Sequence, residues 1–143
     1  MASAKVLIVD DEKDFSSALA DRMEVRGLTV DTAENGSEGI EKAKKKKYDA
    51  IILDLAMPGM DGIETMKLLL AENPDAQVIV LTGRATVQKG VEAVKAGAAE
   101  FIEKPADINT LIEHIIKARD TGAKLFEKRI EDSISDITKK KGW

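Results

Sequence analysis

The sequence predicts an α/β fold, a doubly wound parallel sheet with helices on both faces. Two observations carry this. Short apolar runs alternate with amphipathic segments, giving five strand-helix units within the first 120 or so of 143 residues. Alternation at this spacing is the mark of βα units feeding a parallel sheet, and right-handed crossovers leave few topologies. Several of the apolar runs also end in a charged or hydroxyl side chain, which is where such a sheet exposes its carboxyl edge.

The units follow in order. Val6-Leu7-Ile8-Val9 reads as the first strand and ends in Asp10-Asp11. Phe15, Leu19 and Met23, with Ala18 and Val25, then recur close to helical spacing, and Gly27 suits the stop. Leu28-Thr29-Val30 reads as the second strand. Asn35-Gly36-Ser37 opens a helix carrying Ile40 and Ala43, and its end is basic, Lys44 to Lys47. That charge run reads as a solvated helix end. Ala50-Ile51-Ile52-Leu53 is the third strand and ends in Asp54; Pro58-Gly59-Met60-Asp61-Gly62 reads as a loop. Ile63, Met66, Leu69 and Leu70 mark the next helix, which stops near Asn73-Pro74. Val78-Ile79-Val80-Leu81 leads to Thr82-Gly83, and Val87, Val91 and Val94 mark a helix ending at Gly97. Phe101-Ile102 is a short fifth strand followed by Glu103-Lys104-Pro105, after which Asp107 caps a helix bearing Ile108, Leu111, Ile112, Ile115 and Ile116.

Residues 1–120 form one domain and 121–143 a C-terminal helical extension. Gly122 is expected to interrupt the helix. Beyond it Phe126, Ile130, Ile134 and Ile137 fall on one stripe. The stripe packs back on the body, or serves as a dimer-forming or partner-docking face, or the segment is a disordered tail. Trp143 reads as tail.

Composition narrows the function. Residues 1–120 carry 16 basic and 22 acidic side chains, net −6, against +2 for residues 121–143. A body of that sign, with only 3% aromatics, argues against direct nucleic-acid binding. The chain has no cysteine, so no disulfide holds the fold. Its apolar runs are far shorter than the ~20 residues that span a bilayer, and its start lacks a signal-peptide layout. A soluble cytoplasmic protein is the expectation. No G-x-G-x-x-G or Walker sequence is present, which weakens a nucleotide-binding reading.

In a parallel sheet, Asp10, Asp11, Asp54, Thr82 and Lys104 gather at one edge. Three carboxylates there suit a hard cation such as Mg²⁺, and a hydroxyl and an ammonium suit a phosphoryl group. Capping alone does not need both Asp10 and Asp11, because Glu12 or Asp14 could cap equally well. His114, the only histidine, reads as a surface or boundary residue.

Val-Asp-Asp-Glu at 9–12, Asp-Leu-Ala-Met-Pro-Gly-Met-Asp-Gly at 54–62, Leu-Thr-Gly at 81–83 and Lys-Pro at 104–105 resemble the response-regulator receiver domain. The resemblance covers about residues 4–120. It implies a flavodoxin-like sheet of order 2-1-3-4-5 with five helices. It implies that Asp54 is the phosphoacceptor, served by a histidine kinase or phosphotransfer protein. Asp10, Asp11, Asp54 and the backbone carbonyl of Ala56 would then bind Mg²⁺. Thr82 and Lys104 would contact the phosphoryl group, a cis Lys104-Pro105 bond aiming the lysine. Thr82 and Phe101 would be the switch, reshaping the surface of 86–96, 99–102 and 107–118 for a downstream target protein. Such a domain catalyses its own phosphorylation and dephosphorylation without being a conventional enzyme, and flanking positions such as Arg84 and Ala56 affect the latter. The alternative is a receiver-like interaction module that works without phosphate; intact Asp54, Thr82 and Lys104 argue against it.

Overall fold

The computed structural model describes residues 3–57, 61–83 and 87–140. Five strands, β1 (Lys5–Val9), β2 (Thr29–Ala33), β3 (Ala50–Asp54), β4 (Val78–Thr82) and β5 (Glu100–Glu103), pair in parallel in the order β2-β1-β3-β4-β5. The helices α1 (Lys13–Val25), α2 (Gly36–Lys45), α3 (Gly62–Glu72), α4 (Val87–Lys95) and α5 (Ile108–Lys140) alternate with them. This is the expected flavodoxin-like topology. The expected loop residues Pro58, Gly59 and Met60, and also Arg84 and Trp143, lie outside the described residues.

The three central strands are covered on both faces, which is why they read as unbroken apolar runs rather than alternating ones. Successive side chains still point to opposite faces. Val6, Ile8, Ile52, Ile79 and Leu81 pack under α1 and α5, while Leu7, Val9, Leu53, Val78 and Val80 pack with residues of α3 and α4 such as Met66, Leu69 and Ala93. Each fully buried aliphatic side chain contributes about 1.5–3 kcal/mol.

The helix ends follow local chemistry. Asn35 accepts from the Glu38 amide (2.8 Å), Asp61 from Ile63 (2.9 Å) and Asp107 from Thr110 (3.1 Å), satisfying N-terminal amides of α2, α3 and α5. Gly27 (φ 91°) and Gly97 (φ 121°) follow α1 and α4 in the left-handed region, where a side chain would be strained.

On α1, Val25 is 85% exposed and the buried face is carried by Ser16, Leu19, Ala20 and Met23. On α4, Gly90 and Ala93 are the buried residues and Val94 is exposed. One expectation changes. Gly122 does not interrupt the last helix, because α5 runs unbroken from Ile108 to Lys140. The penalty of about 1 kcal/mol for a helical glycine is offset by contacts on either side of it. Arg119 donates to the Ser3 carbonyl (3.1 Å), the Lys47 ammonium sits 4.3 Å from the Phe126 ring centre, and Arg129 donates two hydrogen bonds to Asp75 (2.9 and 2.7 Å). The first half of the extension is therefore tied to the edge of the sheet that lies at the start of β3 and β4.

Ending the chain at Asp120 removes the Arg129–Asp75 fork and the Phe126 contact. Solvent screens such a pair, so the melting temperature should fall, but modestly. Asp75→Ala should reproduce part of the fall. Identical melting curves for all three proteins would show that the extension does not lean on the body.

Candidate functional site

The carboxyl ends of β1, β3, β4 and β5 meet at one edge because the strands are parallel and in register there: Val9 pairs with Leu53, Asp54 with Leu81 and Thr82 with Glu103. Asp10 follows β1, Asp54 ends β3, Thr82 ends β4 and Lys104 follows β5. The Lys104 amide donates to the Thr82 carbonyl (2.7 Å), extending the ladder by one rung and fixing where the lysine starts. The Lys104–Pro105 peptide is cis, as the resemblance implies.

Asp10 and Asp54 are 1% and 3% exposed, and Thr82 is fully buried. Each carboxylate turns back on its own backbone: Asp10 Oδ1 accepts from the Glu12 amide (2.9 Å) and Asp54 Oδ1 from the Ala56 amide (3.0 Å). That leaves the other oxygen of each facing the Lys104 ammonium, at 3.6 Å from Asp10 Oδ2 and 3.7 Å from Asp54 Oδ2. These are ion pairs beyond hydrogen-bond length. The ammonium also lies 4.5 Å from the centre of the Phe15 ring, which steadies it against the helix α1 side.

Oxygens of Asp10, Asp54 and Glu12 lie within 4.8 Å of one another. Glu12 occupies the N-cap position of α1 but makes no capping hydrogen bond with its side chain. Two buried carboxylates thus share one ammonium, with a third carboxylate beside them. Asp10 Oδ2 and Thr82 Oγ1 are buried without a hydrogen-bond partner. Burial, reinforced by the Asp54 charge and opposed mainly by the Glu12 amide, pushes the Asp10 carboxyl up to about 6. An oxygen-rich edge with surplus negative charge and an unsatisfied inward oxygen fits a hard divalent cation, and the donor set matches Mg²⁺.

Of the residues named from sequence, the structure brings together Asp10, Asp54, Thr82 and Lys104, with Ala56 two residues beyond Asp54. Asp11 is exposed and stands outside the carboxylate cluster. Phe101, half-buried on β5, packs with Val80, Ala93 and Ala98 on the α4 side. His114 is half-buried, 3.6 Å from Glu100, and takes no part in the site. Nothing in periodicity singles out Glu12 or Phe15, since neighbouring acids look alike in a string and an apolar helix residue reads as core.

The family model of the response regulator receiver domain matches residues 6–116. The acid tolerance regulatory protein ActR of Rhizobium meliloti is 37% identical over 112 residues, 78% of this chain and 58% of that protein. The chain therefore spans little more than half of that relative's length. Among solved structures, a response regulator receiver domain protein from Clostridium thermocellum superposes with a TM-score of 0.82 at 29% identity, covering 85% of this chain and 98% of that one. A response regulator protein from Burkholderia pseudomallei, solved with a phosphorylated aspartic acid, a calcium ion and citrate, gives 0.73 at 28% identity over 96% of this chain and 85% of its own.

The raised Asp10 value has a definite sign. Its folded-state carboxyl titrates near 6, above the ordinary 3.8, so the folded state holds the proton more tightly and the stability this contributes is lost as pH rises through about 6. In metal-free buffer Asp10→Asn should melt above wild type at pH 7.5, and the gap should close as pH falls toward 4. A gap that is constant with pH, or of opposite sign at pH 7.5, would show that Asp10 carries no such cost.

Proposed function

The chain belongs to the response regulator receiver family, and we propose on that basis that Asp54 accepts a phosphoryl group from a phosphohistidine of a histidine kinase or phosphotransfer protein. One observation carries the reading. Asp54 stands almost out of water at the end of a fully buried strand, one oxygen held by the Ala56 amide and the other turned to the Lys104 ammonium. The similar Burkholderia protein carries a phosphorylated aspartic acid, which supports assigning the same chemistry to this chain.

A carboxylate is a weak nucleophile, yet phosphoryl transfer asks mainly for position and charge neutralisation. An Asp54 oxygen attacks phosphorus, the P–N bond to the donor imidazole breaks, and the electron pair leaves with the imidazole. Lys104 balances charge on the transferred group, and the unpartnered Thr82 hydroxyl is placed to donate to a phosphoryl oxygen. Mg²⁺, when bound, would supply further charge neutralisation for the transfer. Asp10, Asp54, Asp11 and the Ala56 carbonyl are the residues we assign to it, with Glu12 added on the strength of its place in the cluster.

The phosphorylated aspartate carries more charge and more acceptor oxygens than the free one. Thr82 moving toward it leaves room for Phe101 to turn inward, which changes the surface of α4, β5 and the first turns of α5 that a downstream target reads. No helix among the described residues is long and apolar enough to cross a membrane, which fits a cytoplasmic place for this exchange. Phe126, Ile130, Ile134 and Ile137, between 45% and 60% exposed along the extension, offer a homodimer or target contact.

Incubated with acetyl phosphate and Mg²⁺, the protein should gain one phosphoryl mass, and Asp54→Asn should gain none. Equal labelling of both would sink the assignment. Mg²⁺ titrations of Asp11→Ala and Glu12→Gln then apportion the metal. Weakening in the first supports Asp11, weakening in the second supports Glu12, and wild-type affinity in both would remove these two from the site.

A further inference from the structure

We infer that Gly90 is a positioning residue of the switch: its missing side chain sets the clearance through which Thr82 and Phe101 act on α4. The inference rests on the proposed phosphorylation of Asp54 and deepens it. A Cβ added at Gly90 would lie 2.9 Å from Thr82 Cγ2, 3.0 Å from Phe101 Cδ2 and 3.2 Å from Phe101 Cγ. Carbon atoms in contact prefer about 3.5–4.0 Å. Neither neighbour yields cheaply: the Thr82 methyl is on a β-branched side chain with a stiff χ1, and Phe101 Cγ is the root of its ring. One position of α4 therefore abuts both switch residues at once.

Two further observations tie this contact to the signal rather than to packing alone. Thr82 is wholly buried, yet its hydroxyl has no partner. Its methyl is against α4, so a rotation that brings the hydroxyl to a phosphoryl group must move the methyl at Gly90. Phe101, on the neighbouring strand, is only half-buried and touches the same point. Alanine ordinarily strengthens a helix interior relative to glycine, and a glycine in the middle of a nine-residue helix is locally unfavourable. The close approach explains its presence there.

Gly90→Ala should still take up phosphoryl from acetyl phosphate and Mg²⁺, because Asp54, Lys104 and the carboxylate cluster are untouched. The shifts that phosphorylation induces in α4 amides and the Phe101 ring, read by NMR at matched labelling, should fall to roughly half or less of wild type. Adding Thr82→Ser removes the opposing methyl and keeps the hydroxyl. In that background Gly90→Ala should cost less stability than in wild type, and the α4 response should recover. A full response in Gly90→Ala, or a stability cost the same in both backgrounds, would overturn the inference. Absence of labelling in the wild-type protein would instead defeat the phosphorylation reading. The stability cycle needs no phosphate and would still decide whether Gly90 sets the clearance.

Discussion

Surplus negative charge held out of water is the condition around which this molecule is built. Asp10 and Asp54 are nearly buried with a single ammonium 3.6–3.7 Å from each, and Glu12 stands beside them. Such a cluster opposes folding unless something holds it in place, and the sheet does so. Strands covered on both faces by aliphatic side chains supply a rigid frame whose carboxyl ends cannot splay apart without opening the core. The functional edge is under electrostatic stress because the other parts of the sheet are not. A cation or a phosphoryl group meeting that stress finds a preorganised seat, so little has to be rearranged when it arrives.

The two faces of the sheet carry different duties. Under α1 and α5 the core is filled by large aliphatics such as Ile8, Ile52, Leu111 and Ile115. On the other face, at the α4 corner, the buried helix residues are Gly90 and Ala93. Small side chains there let the α4 backbone approach the strands closely in place of interlocking side chains. The corner lies directly behind Thr82, the one buried hydroxyl of the edge that lacks a partner among the described residues.

Much of this was legible in the string. Buried parallel strands announce themselves as continuous apolar runs, so β1, β3 and β4 and the polar residues ending them were placed correctly, and with them Asp10, Asp54, Thr82 and Lys104. What failed were questions of direction and of tertiary support. The valines of α4 marked a helix without showing which residues it buries: a helix that must approach a strand closely buries its smallest residues, and Val94 faces out. Gly122 looked like a break because propensity counts only the chain's own backbone; the Arg129–Asp75 and Phe126–Lys47 contacts come from residues 54 and 79 positions away. Sequence put Asp11 at the edge beside Asp10 and Glu12 at a cap, but the turn after β1 returns Glu12 to the carboxylate cluster and leaves Asp11 exposed outside it.

The unbroken α5 has a mechanical meaning of its own. It begins four residues after Lys104 and extends for 33 residues, which at about 1.5 Å per residue makes a rod about 50 Å long. Its last tie to the body among the described residues is the Arg129–Asp75 fork, which leaves 11 residues, about 16 Å, beyond that point. A tilt of about 5° there would carry the tip sideways by about 1.4 Å, the scale of helix shifts at interfaces. The helix thus runs as one rigid element from beside the lysine, along the body, to a projecting tip.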